Sequence, residues 1–307
     1  MARYWVFSTD LAGLTFALKA RQRGHDVVLA YDVNGQLAAT APSLSDIETF
    51  PVARVGDDAV LSAVQAFEPD FLVSCIYGQL IPPPVIAAAK QLAVNIHPGR
   101  LPDIRSGNAY FWNVILEREH WSVTVHLLND DWDCGDILFE EKIPMAPWAT
   151  QRWLAYALPQ YMAERAEAIQ LRLEAQDYTV TEQTLGRYYP KPSDQPLSPT
   201  FSETVQQWYS LVRACNGVKW VKLAYGDHLF GLTEVHPTTT PSEAAPGTIR
   251  LTELGEVMMA TADFDLELTV LWCDRLGSMS ARVFVEAFYD PDIPGFRSVP
   301  GERPYYI

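Results

Sequence analysis

Basic residues are scarce in this 307-residue chain: 23 Lys and Arg stand against 38 Asp and Glu, a net charge of −15. Proteins that lie along nucleic acid need a basic face to neutralise phosphates, so the deficit argues against an RNA or DNA partner. The deficit is local as well as global. Residues 32–49 contain no Lys or Arg, and from Phe201 to Ile307 eight basic residues face fourteen acidic ones, 8 − 14 = −6. Cysteine is equally sparse. Cys75, Cys134, Cys215 and Cys273 form no C-x-x-C pair, which excludes a zinc ribbon, a thioredoxin-like motif and a disulfide framework. No metal site is expected. The turn Asp10-Leu11-Ala12-Gly13 holds one glycine, so the G-x-G-x-x-G dinucleotide fingerprint is missing. No apolar run is long enough to span a bilayer, and Met-Ala-Arg-Tyr-Trp-Val-Phe-Ser lacks a secretory h-region. The expectation is a soluble, cytoplasmic protein without a membrane partner. Neither an internal repeat nor a low-complexity block is found.

What is present reads as an α/β protein. With 48% hydrophobic and 12% aromatic residues the chain is not disordered, and its length suggests two domains. An apolar strand over 4–8, a helix to about 23 and a strand over 25–30 make an opening β-α-β unit. Residues 32–49 are polar and read as a loop. A run over 52–55, a helix over 57–67 and strands over 71–74 and 93–96 continue the alternation. Pro82-Pro83-Pro84 interrupts it, well suited to start a short helix. A helix over 109–117, strands over 122–128 and 137–143, and a long helix over 151–175 complete a Rossmann-like, mostly parallel sheet with flanking helices. Four prolines between 185 and 199 mark a linker. The division is thus 1–184 as catalytic domain, 185–200 as linker and 201–307 as a smaller C-terminal domain. In the last, a helix over 201–215 has Val205, Trp208, Leu211 and Val212 on one face. Short strands over 219–224, 228–235, 247–251, 256–260 and 266–271 follow, then a helix over 278–288.

Three phrases carry chemistry: Asn95-Ile96-His97-Pro98-Gly99-Arg100-Leu101-Pro102, Thr124-Val125-His126 and Asp133-Cys134-Gly135-Asp136-Ile137. An amide, an imidazole and a carboxylate each sit beside a strand-like run, and ligands of open α/β sheets bind at strand ends. Together, Asn-x-His-Pro-x-x-Leu-Pro, Arg105 shortly after, Thr-Val-His and Asp-x-Gly-Asp-Ile resemble the folate-dependent formyltransferase family, with the core of the match over 73–140. That family includes methionyl-tRNA, glycinamide ribonucleotide and amino-sugar N-formyltransferases. The resemblance implies 10-formyltetrahydrofolate as formyl donor. It assigns Asn95 to stabilise the oxyanion, His97 as the catalytic histidine and Asp133 as the carboxylate. Asp136 competes for that last role, because Asp-x-Gly-Asp holds two acids. Tyr77-Gly78-Gln79-Leu80-Ile81 matches the segment that reads the pterin through backbone groups, with Asn129, Asp130, Asp131 and Trp132 as the other wall. His126 is a supporting residue behind the site or a core histidine, the two readings being equal. Ala245-Pro246-Gly247-Thr248-Ile249 resembles a phrase of the C-terminal domain of methionyl-tRNA formyltransferases, which implies an OB-like β-barrel there.

The chemistry suits these residue types. Formyl transfer between amines passes through a tetrahedral adduct bearing an oxyanion, which a fixed amide N–H₂ can stabilise. Imidazole donates when protonated or relays a proton when neutral. A carboxylate raises the imidazole pKa and accepts the proton of the attacking amine. The chain departs from the family at Gly99 (usually Ser), Arg100 (usually Leu) and Ser106 (usually Gly). Arg100 and Arg105 near the site suit an anionic acceptor, with Asn108 beside them. For Arg100 a surface pair with Asp103 is an equal reading. The acidic balance favours a small amine acceptor, such as an amino-sugar nucleotide or a natural-product amine, over tRNA. The alternatives are a methionyl-tRNA formyltransferase or a formyltetrahydrofolate hydrolase. A C-terminal domain that serves as lid, wall or homodimer contact completes the expectation.

Overall fold

The computed structural model describes residues 1–184, 186–193, 195, 197–216 and 221–301. Leu185, Asp194 and Pro196 of the expected linker, Lys219 and Trp220 of an expected strand, and the tail from Glu302 lie outside them. The chain forms two compact units. The first comprises Met1–Tyr110, Glu119–Met145 and Leu154–Lys191; the second comprises Phe111–Arg118, Ala146–Trp153 and Pro192–Ile307.

In chain order the first unit contributes β1 (Arg3–Ser8), α1 (Leu11–Gln22), β2 (Asp26–Asp32), β3 (Glu48–Val52), α2 (Asp58–Phe67), β4 (Phe71–Cys75), α3 (Pro83–Ile86) and β5 (Leu92–His97). Next come β6 (Arg105–Ser106), α4 (Ala109–Ile115, counted with the second unit from Phe111 on), β7 (His120–Leu127), β8 (Ile137–Pro144), α5 (Gln151–Glu174, counted with the first unit from Leu154 on) and β9 (Tyr188–Tyr189). Its main sheet has the order β3-β2-β1-β4-β5-β7-β8. Pairings from β3 through β5 are parallel, and those of β5 with β7 and β7 with β8 are antiparallel. The fold is therefore mixed α/β with a parallel-rich sheet. β3 is the departure from expectation: Glu48 and Thr49, placed in a loop by their polarity, pair with Val28 and Leu29 at the sheet edge. An edge strand needs only one apolar face, which leaves a weak pattern.

Strand alternation sets the core. Trp5 and Phe7 of β1 point to one face, where they join Val28, Ala30, Val60, Val64, Leu72 and Val85. Trp5 lies 5.6 Å from Phe67 of α2, ring to ring. Tyr4 points to the other face and meets Phe16 of α1 at 6.1 Å. α5 is tied to that face through Gln170, which donates to the Phe16 carbonyl, and through Glu174, which accepts from Tyr4 and Arg23. The order in which strands are added to the sheet reverses between β1 and β4, so their carboxyl ends open a crevice of the kind in which α/β proteins bind ligands.

The second unit holds α6 (Val205–Cys215), β10 (Val221–Tyr225), β11 (His228–Pro241), β12 (Ile249–Leu251), β13 (Val257–Ala260), β14 (Phe264–Cys273), β15 (Gly277–Ser280), α7 (Ala281–Phe288) and β16 (Arg297–Ser298). A capping box between Thr204 and Gln207 starts α6 four residues later than expected. The strands form a separate curled, antiparallel sheet, a half-barrel in the order β12-β13-β14-β11-β10-β16. Register shifts along β11 add local twist. Ser278–Ser280, expected in the last helix, instead pair with β14, and α7 starts at Ala281 under a Ser280 cap.

Candidate active site

The carboxyl ends of β1, β4 and β5 enclose a cavity of about 670 Å³, within the first unit. The sequence positions its polar groups simply. Asn95 and His97 are two apart on β5 and share a face of the sheet. Across the antiparallel ladder Asn95 faces His126 and His97 faces Thr124, so all four side chains share that side. Asp133 arrives from the turn between β7 and β8. Its backbone is left-handed, φ 51°, a conformation that Asp tolerates better than most residues. Gly135 makes that turn possible: a Cβ there would lie 1.9 Å from the Leu127 carbonyl oxygen.

The three groups converge. Asp133 Oδ1 lies 3.3 Å from His97 Nδ1 and 3.3 Å from Asn95 Nδ2. The other oxygen, Oδ2, accepts from the Ser106 backbone N–H. His97 Nε2 donates to the Ile104 carbonyl at 2.8 Å, so Nε2 carries a hydrogen and Nδ1 faces the carboxylate. Burial works against a charge on His97, which is 4% exposed. The Asp133 carboxylate and the Ile104 carbonyl outweigh it and hold the imidazole above its ordinary value. Asp133 mirrors this. Burial would raise its carboxyl, yet His97 and its hydrogen bonds keep it below the usual carboxylate range. The two shifts reinforce each other, each group favouring the charged form of its neighbour.

His126 is the opposite case. Burial first, with the charge of His97 adding to it, pulls its imidazole down to about 4 against the pull of Asp133. Its Nδ1 meets the Leu127 carbonyl at 2.8 Å and its Nε2 meets Asn95 Nδ2 at 3.1 Å. A carbonyl only accepts, so Nδ1 holds the hydrogen and neutral Nε2 accepts from the amide. Both hydrogens of Asn95 Nδ2 are thereby directed, one to His126 and one to Asp133. A flipped amide would set its oxygen against a lone pair and a carboxylate, so chemistry fixes the orientation.

Of the groups expected to hold a pterin, Tyr77, Gly78, Gln79, Leu80 and Ile81 all line the cavity, as do Asn129, Asp131 and Trp132, but not Asp130. Of the acceptor contacts only Asn108 does so. Arg100 is half-exposed and pairs with Asp103 at 3.4 Å. Arg105 is buried behind the wall, where it donates to the carbonyls of Trp132 and Gly186 and meets Cys134 Sγ. Burial and the Asp131 carboxylate push the Cys134 thiol up to about 11, which leaves it un-ionised at neutral pH. Asp136 stays outside the cluster; its Oδ1 accepts from the Gln183 backbone.

The cavity also uses residues that sequence reasoning passed over: Thr9 and Asp10 after β1, Asp32 and Asn34 after β2, and Tyr188 and Lys191. The signal for the first four was their place at the carboxyl ends of strands. Tyr188 and Lys191 gave none, because β9 reaches the site only by pairing with β6, eighty-three positions earlier (188 − 105).

The site gathers an amide, an imidazole and a carboxylate beside the carboxyl ends of an open, parallel-rich α/β sheet. Residues 18–161 match the family model described as formyl transferase. That segment, a little under half of the chain, is similar to the formyl transferase family, whose members are enzymes that transfer formyl groups. It is 29% identical over 188 residues to a methionyl-tRNA formyltransferase of Synechococcus sp. strain JA-3-3Ab, covering 59% of this chain and 58% of that one. A GDP-perosamine N-formyltransferase of Brucella melitensis is 29% identical over 139 residues, 45% of this chain and 54% of that one. The chain thus spans a little over half the length of these curated relatives. Among solved structures, HypX of Aquifex aeolicus in complex with tetrahydrofolic acid shares the fold with a TM-score of 0.62 at 19% identity. That match covers 93% of this chain and 47% of that one.

Proposed function

We propose that the protein is an N-formyltransferase that moves a formyl group from 10-formyltetrahydrofolate to the primary amine of a small acceptor. One observation carries the reading: Asn95, His97 and Asp133 meet within 3.3 Å in the wall of the cavity. The Brucella relative, a GDP-perosamine N-formyltransferase, supports a small-molecule acceptor, and the Aquifex structure, in complex with tetrahydrofolic acid, supports a folate donor.

The wall fits the pterin. Among the described residues, the backbone N–H and C=O groups of 77–81 take part in no hydrogen bond of the chain, and a Cβ on Gly78 would meet nothing within 4 Å. A heterocycle with a row of donors and acceptors can be read by such unspent backbone. Gln79 braces the segment, accepting from Val55 N–H and donating to Asp32.

In the reaction, Asp133 accepts the proton of the attacking nitrogen and passes one back to the leaving nitrogen. Asn95 exchanges its 3.3 Å contact with Asp133 for the developing oxyanion, while the 3.1 Å bond to His126 keeps the amide aligned. His97, whose imidazole Asp133 holds above its ordinary value, supplies positive charge beside the oxyanion when protonated and keeps Asp133 in place. We assign this work to residues 1–184 and place the protein in the cytoplasm. The C-terminal half-barrel we read as an OB-type domain joined through 185–200. A tRNA acceptor is the second reading, favoured by the Synechococcus relative and opposed by the charge of −15. Release of tetrahydrofolate with formylated amine, read by absorbance and product mass, tests the proposal; no turnover with any amine in the presence of donor refutes it.

A further inference from the structure

The reading of the cavity as a formyl-transfer site leaves the acceptor's chemistry open, and the ionisable groups of the wall narrow it. Asp10, Asp32, Asp131 and Asp133 line the cavity, and Lys191 is the single Lys or Arg among the described lining residues. Lys191 is exposed at the rim, where the glutamate carboxylates of a folate can meet it. Every other fixed charge that an acceptor meets is negative, the already paired His97 aside.

The start of α1 reinforces this. A helix N-terminus with unspent N–H groups is a ready phosphate site. Here Asp10 caps the helix, its carboxylate accepting from Ala12 N–H at 2.9 Å. Asp10 N–H is turned back to Ser8 Oγ, and Thr9 sends both its N–H and its hydroxyl to the Ile76 carbonyl. The turn offers an incoming ligand a carboxylate where a phosphate would need donors. Burial pushes the Asp10 carboxyl up to about 6 in spite of the Ala12 and Gly13 N–H groups, the behaviour of an acid that lacks a cation. At the same end the residue Tyr77, 8% exposed, forms part of the cavity wall while its ring packs on Phe7 and its hydroxyl is buried without a hydrogen-bond partner, although Asp32 is near enough to raise its pKa further. Asp32 itself is held by Asn34 N–H and Gln79. Ligand hydroxyls or an ammonium would satisfy this set, and a phosphate would be repelled by it.

We infer that the acceptor is a phosphate-free amine carrying a second cation or hydroxyl groups, and that Asp10 is the residue that selects it. An amino sugar linked to a nucleoside diphosphate is thereby disfavoured.

The test loads the full-length protein with tetrahydrofolate at pH 8 and titrates 1,4-diaminobutane and inorganic pyrophosphate by calorimetry. The diamine is expected to bind and pyrophosphate not to. Asp10→Asn should weaken the diamine at least fivefold, and Asp10→Ser should do the same. Both residues cap helices as well as Asp does, so the fold survives either change. In formyl transfer, an unphosphorylated amino sugar should exceed its nucleotide-linked form at least tenfold in kcat/KM. Pyrophosphate binding, absence of diamine binding, an unchanged diamine affinity in Asp10→Asn, or preference for the nucleotide-linked acceptor overturns the inference. Tetrahydrofolate binding is read in the same titration, and its failure counts against the formyl-transfer reading instead.

Discussion

A methyl group at position 99 would collide with the histidine of the site. A Cβ on Gly99 falls 2.8 Å from His97 Nε2, 3.2 Å from His97 Cδ2 and 3.2 Å from the Ala109 Cβ. The Gly99 backbone lies outside the left-handed region, so alanine there strains nothing except this contact. Ordinary contact begins at 3.4 Å, so the ring must retreat by 3.4 − 2.8 = 0.6 Å. It moves off the Ile104 carbonyl, and a hydrogen bond from a charged donor, worth about 1.5–3 kcal/mol, is strained or lost. At 1.36 kcal/mol per unit that lowers the His97 pKa by up to about 1–2 units. Because the proposed mechanism uses the cation, the alkaline limb of the kcat–pH profile should move to lower pH. A displacement of this size also spoils alignment, with a loss of roughly 10- to 100-fold in kcat. The assay pairs tetrahydrofolate release across pH with ¹⁵N NMR of the histidine rings, which reports tautomer and titration without turnover. An unshifted His97 titration in Gly99→Ala, or full activity, would refute the coupling between these two residues.

His97→Ala should reduce turnover by roughly 10²- to 10⁴-fold while far-UV circular dichroism stays unchanged. Asp133→Asn should be nearly as damaging, and if Asp136→Asn proves the crippling change then the acids were assigned in the wrong order. For His126 the folded pKa of about 4 lies below the unfolded 6.5. Unfolding therefore takes up a proton and stability is lost as pH falls from about 6.5 to about 4, by about 3 kcal/mol in all. His126→Gln, which keeps an acceptor for Asn95 and has no such proton, should flatten that limb in urea titrations; an equally steep acid limb would exclude His126 as its source. The His97 and Asp133 pair runs the other way on its alkaline side. The raised His97 pKa adds stability that is complete below about pH 6.5 and disappears as pH rises through the folded value. Arg105→Lys gives up the fork that holds the Trp132 and Gly186 carbonyls. It should raise the tetrahydrofolate Kd by about tenfold, close to the loss of one hydrogen bond to a charged group, as read by quenching of tryptophan fluorescence.

Most of the first unit was legible because buried strands of a parallel sheet appear as short apolar runs. Tyr4 to Ser8 and Phe71 to Cys75 are of that kind. The triad was legible from its phrases, since two residues on one extended strand must share a side and Asp-x-Gly marks a turn that only glycine can close against β7. Local pattern failed where a distant partner decides. Glu48 and Thr49 become strand because β2 offers them a free edge, and Ser278 to Ser280 because β14 does. Arg105 reads as an exposed cation next to a site, yet carbonyls from two separate turns enclose it. The acidic end of the cavity is built by β1 and β2, neither of which carries a motif.

The ladder between β5 and β7 has one further consequence. Asn95 stands opposite His126 and His97 opposite Thr124, so two of the three clustered groups are set by sheet register, which a slip of one residue would invert. The regions that surround the ligand, after β1, after β2 and around β9, are free of that constraint. Such a division lets the ligand be exchanged by rewriting connecting loops while the cluster of Asn95, His97 and Asp133 is inherited intact. On the proposed function, redesign for a new amine should accordingly begin at Asp10, Asn34, Tyr188 and Lys191 and leave the strands alone.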